Sequence, residues 1–425
     1  MNTIRRAGSL LSMWCAIVAA PSEAQSPVVT LGVEARTNAN PTVAATGDIV
    51  AVAWSGATVS SMDIFAAVSM DGGRTFGAPV QVNSVAGEAR VSGEEPPQVA
   101  VVPRRGRAPE IVVVWTSRAG ANWKLLSATS SDGGKTFRTA MPVPGSEGSG
   151  VRGWQSVGVD AQGRVSVLWL DHRGTVAADS LHKHAMSANP AAPMAKPDPT
   201  ERAGLSELYF ANLGGTSASR LTTSVCYCCK TSMAIVGDNI YAVWRHVFPG
   251  GMRDIGYTIS TDRGRRFAPV ARVSNDQWRF DGCPDNGPAI AVDAARRAHV
   301  AWPTPADGKT ASNMALYYAT AQNGRTFGPR SRIPTRGAAS HPQIVVARDG
   351  STIVAWDEIV DGTRRLGFAR ARVDNAGVVS FSGLTPPDAG PGQWYPALAA
   401  SSSGVLAVWV RQVEKGSVIG VARLP

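Results

Sequence analysis

Cysteine is scarce in this chain, and so is histidine: five of one and six of the other in 425 residues. That excludes a fold held by a dense disulfide framework of the kind small secreted domains need. Past the first 24 residues, no apolar run is long enough to cross a bilayer as a helix. Charged residues make up only 17% of the chain, and the basic ones are scattered. With no basic helix and no basic-aromatic interleaving, the net charge of +10 reads as a solvated basic surface. It gives a weak preference for anionic partners and no nucleic-acid site. No phosphate-cradling glycine loop, no Ser-His-Asp pattern and no His-Glu-x-x-His occurs.

What is present begins with the N-terminus. Arg5 and Arg6 precede the apolar run GSLLSMWCAIVAA, and the small residues of SEA (22–24) follow. This is the pattern of a cleaved secretory signal over residues 1–24. The bulky Met13 and Trp14 argue against a lipid anchor at Cys15. The expectation is a secreted or periplasmic, monomeric protein whose mature part, residues 25–425, retains four cysteines in an oxidising setting, where pairing is the default.

Length alone suggests two domains, but an internal repeat overrides that reading. A short apolar strand ending in tryptophan recurs seven times, at Trp54, Trp115, Trp169, Trp244, Trp302, Trp356 and Trp409. A second apolar strand, often opened by proline, precedes most of them: PTVAAT, PPQVAVV, GPAIAVD, HPQIVVA, YPALAAS. After several tryptophans comes a tight turn: SMDGGRTF (69–76), SSDGGKTF (130–137), STDRGRRF (260–267) and the decayed TAQNGRTF (320–327), with Gln322 where Asp is expected. In such a turn an aspartate accepts backbone N–H groups ahead of it and glycine takes the positive φ.

These turns resemble the Asp-box, or BNR, repeat of the sialidase-like β-propellers, with Asp71, Asp132 and Asp262 as its structural aspartates. The resemblance covers nearly the whole mature chain. It implies an all-β propeller of four-stranded antiparallel blades, with the Asp-box turns on the face away from the site. Seven tryptophan strands predict seven blades; the sialidases have six, which is the alternative. The last repeat ends early at SVIGVARLP, so PVVTLGVE (27–34) is expected to supply its fourth strand and close the ring.

In such a propeller, the loop leading into each first strand and the loop after each tryptophan strand share one face at the channel mouth. That face collects Cys226, Cys228 and Cys229 of SVCYCCKTSM, Cys283 of DGCPDNGP, His172, His246 and His341. It also receives an insert at about 173–205 carrying His182, His184, Met186 and Met194. Three readings of the cysteines stay open. They are two disulfides with one triplet thiol joined to Cys283, a soft-metal site for copper or zinc with imidazoles from His341, His172 or His246, and a labile redox pair.

The leading functional expectation is an exported binding propeller that takes a small ligand, glycan or protein at this face, its Cys/His cluster metal-bound or disulfide-fixed. The alternatives are a sialidase-like glycoside hydrolase or other glycan-active enzyme, and a disulfide-stapled interaction scaffold. If the protein is an exo-sialidase-like enzyme, the resemblance implies a tyrosine nucleophile with a glutamate partner, for which Tyr395 and Glu358 are placed by position. Arg36, Arg152, Arg173, Arg245 and Arg411 lie near the face, with nothing to mark three of them as a carboxylate clamp.

Overall fold

A computed structural model describes residues 27–119, 122–175, 199–280, 284–308, 313–374, 377–385, 388 and 390–425. The expected signal segment (1–24), most of the insert and Cys283 lie outside them. The chain forms seven four-stranded antiparallel sheets in ring order, a seven-bladed β-propeller. Blade one shows the plan: an inner strand Thr37–Thr46, the tryptophan strand Ile49–Ala57, a third strand Met62–Ser69 and a two-residue outer strand Val80–Gln81. One short helix, Pro199–Gly204, follows the insert in blade three. Among the described residues no helix is long and apolar enough to cross a membrane.

The ring closes as the sequence predicts. Blade seven takes its outer strand from Val29–Leu31, which pairs antiparallel with Gly416–Arg423 in the register Val29↔Val421, Thr30↔Gly420 and Leu31↔Ile419. A closed ring leaves no inner edge to template aggregation.

The recurrent tryptophan explains why seven blades cohere. Each indole fills the gap to the preceding blade. Trp115 of blade two packs among Ala51, Ala53 and Ile64 of blade one, and Trp54 of blade one among Leu406, Val408 and Ile419 of blade seven. All seven are buried. Truncating one to alanine would cost about 3–5 kcal/mol by the usual core penalty. In three blades the facing third-strand residue is glycine. Trp244, Trp356 and Trp409 pair with Gly256, Gly367 and Gly420, where an added Cβ would strike the indole.

The predicted turns form on the third-to-fourth strand connections. Asp71 Oδ1 accepts the N–H groups of Arg74 and Thr75, both at 2.9 Å, while Thr75 Oγ1 donates to Oδ2 at 2.6 Å. Asp132 repeats the arrangement with Lys135 and Thr136, and Asp262 accepts Arg266 N. In the decayed copy the acceptor is Asn323, one residue after Gln322; its Oδ1 takes the N–H groups of Arg325 and Thr326 at 2.9 Å. The turn keeps its eight residues, and the acceptor role passes to the side chain one position later.

Candidate functional site at the channel mouth

The inner strands of four blades carry an irregularity at the same height. Pairing slips between Ala39 and Thr42, Gly153 and Ser156, Ser340 and Gln343, and Trp394 and Ala397. Each slip holds one non-glycine residue at positive φ: Asn40 (54°), Trp154 (52°), His341 (52°) and Tyr395 (49°). Bulges re-aim side chains, and left-handed residues concentrate at functional sites.

Two of these residues meet. The His341 and Tyr395 rings stand 4.6 Å apart in an edge-on arrangement. Asp357, 1% exposed, joins them: its Oδ2 accepts His341 Nδ1 at 2.9 Å and the Tyr395 backbone N–H at 3.0 Å. Arg364 donates to Asp357 Oδ1 at 3.2 Å and lies 5.9 Å from the Tyr395 ring centre. Burial pushes the Tyr395 hydroxyl pKa up. Arg364 opposes that shift, and the charges of Asp357, Asp285 and Glu94 add to it. Tyr395 therefore stays a proton donor at neutral pH.

Glu358 is not in this group. Its Oε1 binds Arg336 Nε at 2.7 Å, and its Oε2 accepts the N–H groups of Arg336 and Gly337. Successive strand residues face opposite sides, so the carboxylate beside Tyr395 belongs to Asp357. The five arginines of the channel face are also committed. Arg36 pairs with Asp63, Arg152 and Arg173 share Asp171, Arg245 donates to the carbonyls of Asn286, Arg253 and Pro303, and Arg411 reaches Asp388. Arg364, absent from that set, is the arginine that faces Tyr395 among the described residues.

Below this group the axis is crossed by side chains. Glu94 of blade two accepts the backbone N–H groups of Lys230 in blade four, at 3.0 Å, and Gly287 in blade five, at 2.7 Å. Lys230 Nζ donates to Pro342 O of blade six at 2.6 Å. Burial lowers the Lys230 pKa, against the pull of Glu94 and Asp357. Asp285 is raised by burial and by the Glu94 charge, and burial drives Glu95 up to about 8. Beneath lies a polar cavity of about 200 Å³ touching Thr42, Gln98, Ser156, Lys230 and Gln343. The mouth is thus a floored pocket. Outward from Arg364 runs a groove of roughly 700 Å³ between blades six and seven, along Thr363, Gly392, Trp394 and Gln412.

The cysteine triplet sits beside the mouth in blade four. Cys226, Cys228 and Cys229 are buried, with Sγ separations of 3.5 Å (226–229), 3.9 Å (226–228) and 4.0 Å (228–229). Cys228 is disulfide-bonded, to a partner outside the described residues; Cys226 and Cys229 are free thiols. Of the three local pairings open to the triplet, none is formed. Among the described residues these three sulfurs are the only group of three or more His, Cys, Asp or Glu donor atoms that lie within 4.8 Å of one another.

The predicted imidazoles stand apart from the sulfurs. His341 is turned to Asp357. His246 Nδ1 accepts Trp244 Nε1 at 3.2 Å, and burial with the Arg272 charge pushes it down to about 4. His172 Nε2 donates to Tyr227 O at 3.1 Å, which places it on the cysteine loop's backbone. Asp357 falls on the channel face because it follows Trp356, whereas Arg364, Glu94, Lys230 and Asp285 escape a motif search because each is a single residue in its own repeat. The available signal is the residue pair at the strand bulge, His341-Pro342 and Tyr395-Pro396.

No protein-family model matches the chain, and no curated protein matches its sequence. Solved structures do match in three dimensions. An ulvan lyase, described as a new family of polysaccharide lyase, aligns over 93% of this chain and 96% of its own with a TM-score of 0.53 and 10% identity. The same enzyme bound to a GlcA(1-4)Rha3S unit gives 0.53 and 11% over the same spans. An α-L-arabinofuranosidase from Fusarium graminearum aligns over 94% of this chain and 97% of its own, with a TM-score of 0.50 and 10% identity. What this chain shares with these glycoside hydrolases and lyases is the β-propeller fold.

Proposed function

We propose that this protein is a glycan-active enzyme whose site is the channel mouth around Tyr395 and His341. The observation that carries the reading is the Asp357 carboxylate that fixes His341 through Nδ1 and Tyr395 through its backbone at once. An Nδ1–H held by a buried carboxylate leaves Nε2 as the basic position of the ring. A tyrosine whose hydroxyl stays protonated stands against that ring. Base, acid and a guanidinium within one pocket suit proton transfer at a glycosidic linkage, with Arg364 offsetting negative charge as it develops. The groove with Trp394 supplies length and an aromatic face for a chain of sugars. The polysaccharide enzymes that share the fold support the same reading. Exo-sialidase chemistry gains no such support, since no arginine clamp is assembled from the channel-face arginines.

The test is a screen of neutral and uronate-bearing polysaccharides, read by new reducing ends and by the ultraviolet absorbance of unsaturated products. Wild-type protein is expected to cleave at least one of them, and Tyr395→Phe and His341→Gln to bind it without cleaving. Binding by the wild type with no cleavage of any substrate would return the protein to the class of binding propellers.

A further inference from the structure

The free thiol pair beside the mouth is not used by that chemistry. Cys226 and Cys229 are each 1% exposed, 3.5 Å apart, and covered by Trp154 and Tyr227. Arg253, itself 1% exposed, donates from Nη1 to Cys226 Sγ at 3.1 Å. A buried guanidinium aimed at a buried sulfur is a device for holding a thiolate. Nothing in the propeller's packing requires one.

We propose that Cys226 and Cys229 form a two-thiolate site for a monovalent soft metal ion, Cu(I). Binding is a ligand exchange in which the ion displaces the thiol protons of Cys226 and Cys229 to solvent, and no electron is transferred. The resulting anionic pair faces the buried Arg253 guanidinium, whose Nη1 already reaches Cys226 Sγ.

Coordination number decides between soft ions. Thiolates select Cu(I) and zinc, but zinc takes four ligands in a structural site. Here Cys228 is committed to a disulfide, and among the described residues no imidazole or carboxylate joins the sulfurs. Two thiolates in a dry pocket satisfy a low-coordinate monovalent ion. Sulfurs sharing one ion at about 2.3 Å stand about 3.8 Å apart in tetrahedral geometry and farther in a linear one. The observed 3.5 Å must open by about 1 Å to seat an ion held linearly by the two sulfurs. The site is separate from the proposed glycan chemistry and does not depend on it.

The experiment uses the full chain with its disulfide intact, under anaerobic conditions. Cu(I) is delivered as its acetonitrile complex against a chromophoric chelator, with proton release and sulfur-to-copper ultraviolet absorption followed together. A single tightly held ion is expected, with proton release on binding. Cys226→Ser and Cys229→Ser should each weaken it by more than about 100-fold, and Arg253→Gln by about 10-fold or more, the scale of an outer-shell loss. If the serine variants do not fold, alkylation of the wild type decides: both thiols must be protected by Cu(I) and freed by the chelator. Equal retention of Zn(II), Cu(I) binding that survives in the folded double variant, or a Cys226–Cys229 disulfide in the purified metal-free protein would each overturn the proposal.

Discussion

Asp357 Oδ2 accepts the His341 Nδ1–H at 2.9 Å from one strand away, with both residues buried. On the proposed function, this contact directs the imidazole as a base. On the proposed chemistry Asp357 is a positioning residue that acts through His341. Asp357→Asn is expected to lower kcat by about 10²- to 10⁴-fold, the range of a general acid–base contribution, with KM nearly unchanged. The acidic limb of the pH–rate profile should shift too, a change that a packing defect would not produce.

Glu358, its neighbour in sequence, should behave differently. Glu358→Gln removes charge from a carboxylate that binds Arg336 and two backbone N–H groups. Stability should fall by about 1–3 kcal/mol, the cost of weakened buried hydrogen bonds, while kcat stays within about twofold. Urea unfolding and steady-state kinetics on the same preparation separate the two effects.

Gly93 is pressed against the Tyr395 ring, and an added Cβ would stand 2.1 Å from Tyr395 Cζ. Gly93→Ala should displace the ring and reduce kcat more than it reduces the melting temperature. A crystal structure of the variant would show Tyr395 rotated away from His341.

Glu95 is 2% exposed and accepts Thr116 Oγ1 at 2.5 Å. Burial raises its folded pKa from 4.5 to about 8, so the native state holds a proton that the unfolded chain loses. Stability from this group is full below about pH 4.5 and declines as pH rises toward 8, with a total on the order of a few kcal/mol. Glu95→Gln keeps the acceptor and cannot ionise. Its urea midpoint should exceed that of the wild type at pH 8 and match it at pH 4.5.

The ring closure is testable by truncation. A chain beginning at Gly32 lacks Val29–Leu31 and bares the edge of Gly416–Arg423. It should lose cooperativity on heating and associate through that edge, as size-exclusion chromatography would show beside the untruncated protein.

The sequence by itself determined the architecture: seven tryptophan strands, their proline-opened partners, the aspartate turns and the N-terminal strand that completes blade seven. Those features are local or periodic, and each repeat buries its indole against a neighbour built to the same plan. The site was legible only as a face. Tyr395 and His341 could be placed on it, yet the sequence offers Glu358 as the tyrosine's partner and His341 as a metal ligand, when strand alternation and the bulge at Trp394–Ala397 bring Asp357 to both. The cysteine triplet was visible, but not that Cys226 would face Arg253 while His341 and His246 turned elsewhere. Tertiary structure decided these points because a channel mouth takes one or two residues from each of several blades. Side-chain direction at strand bulges, not spacing along the chain, selects which of two adjacent residues points inward.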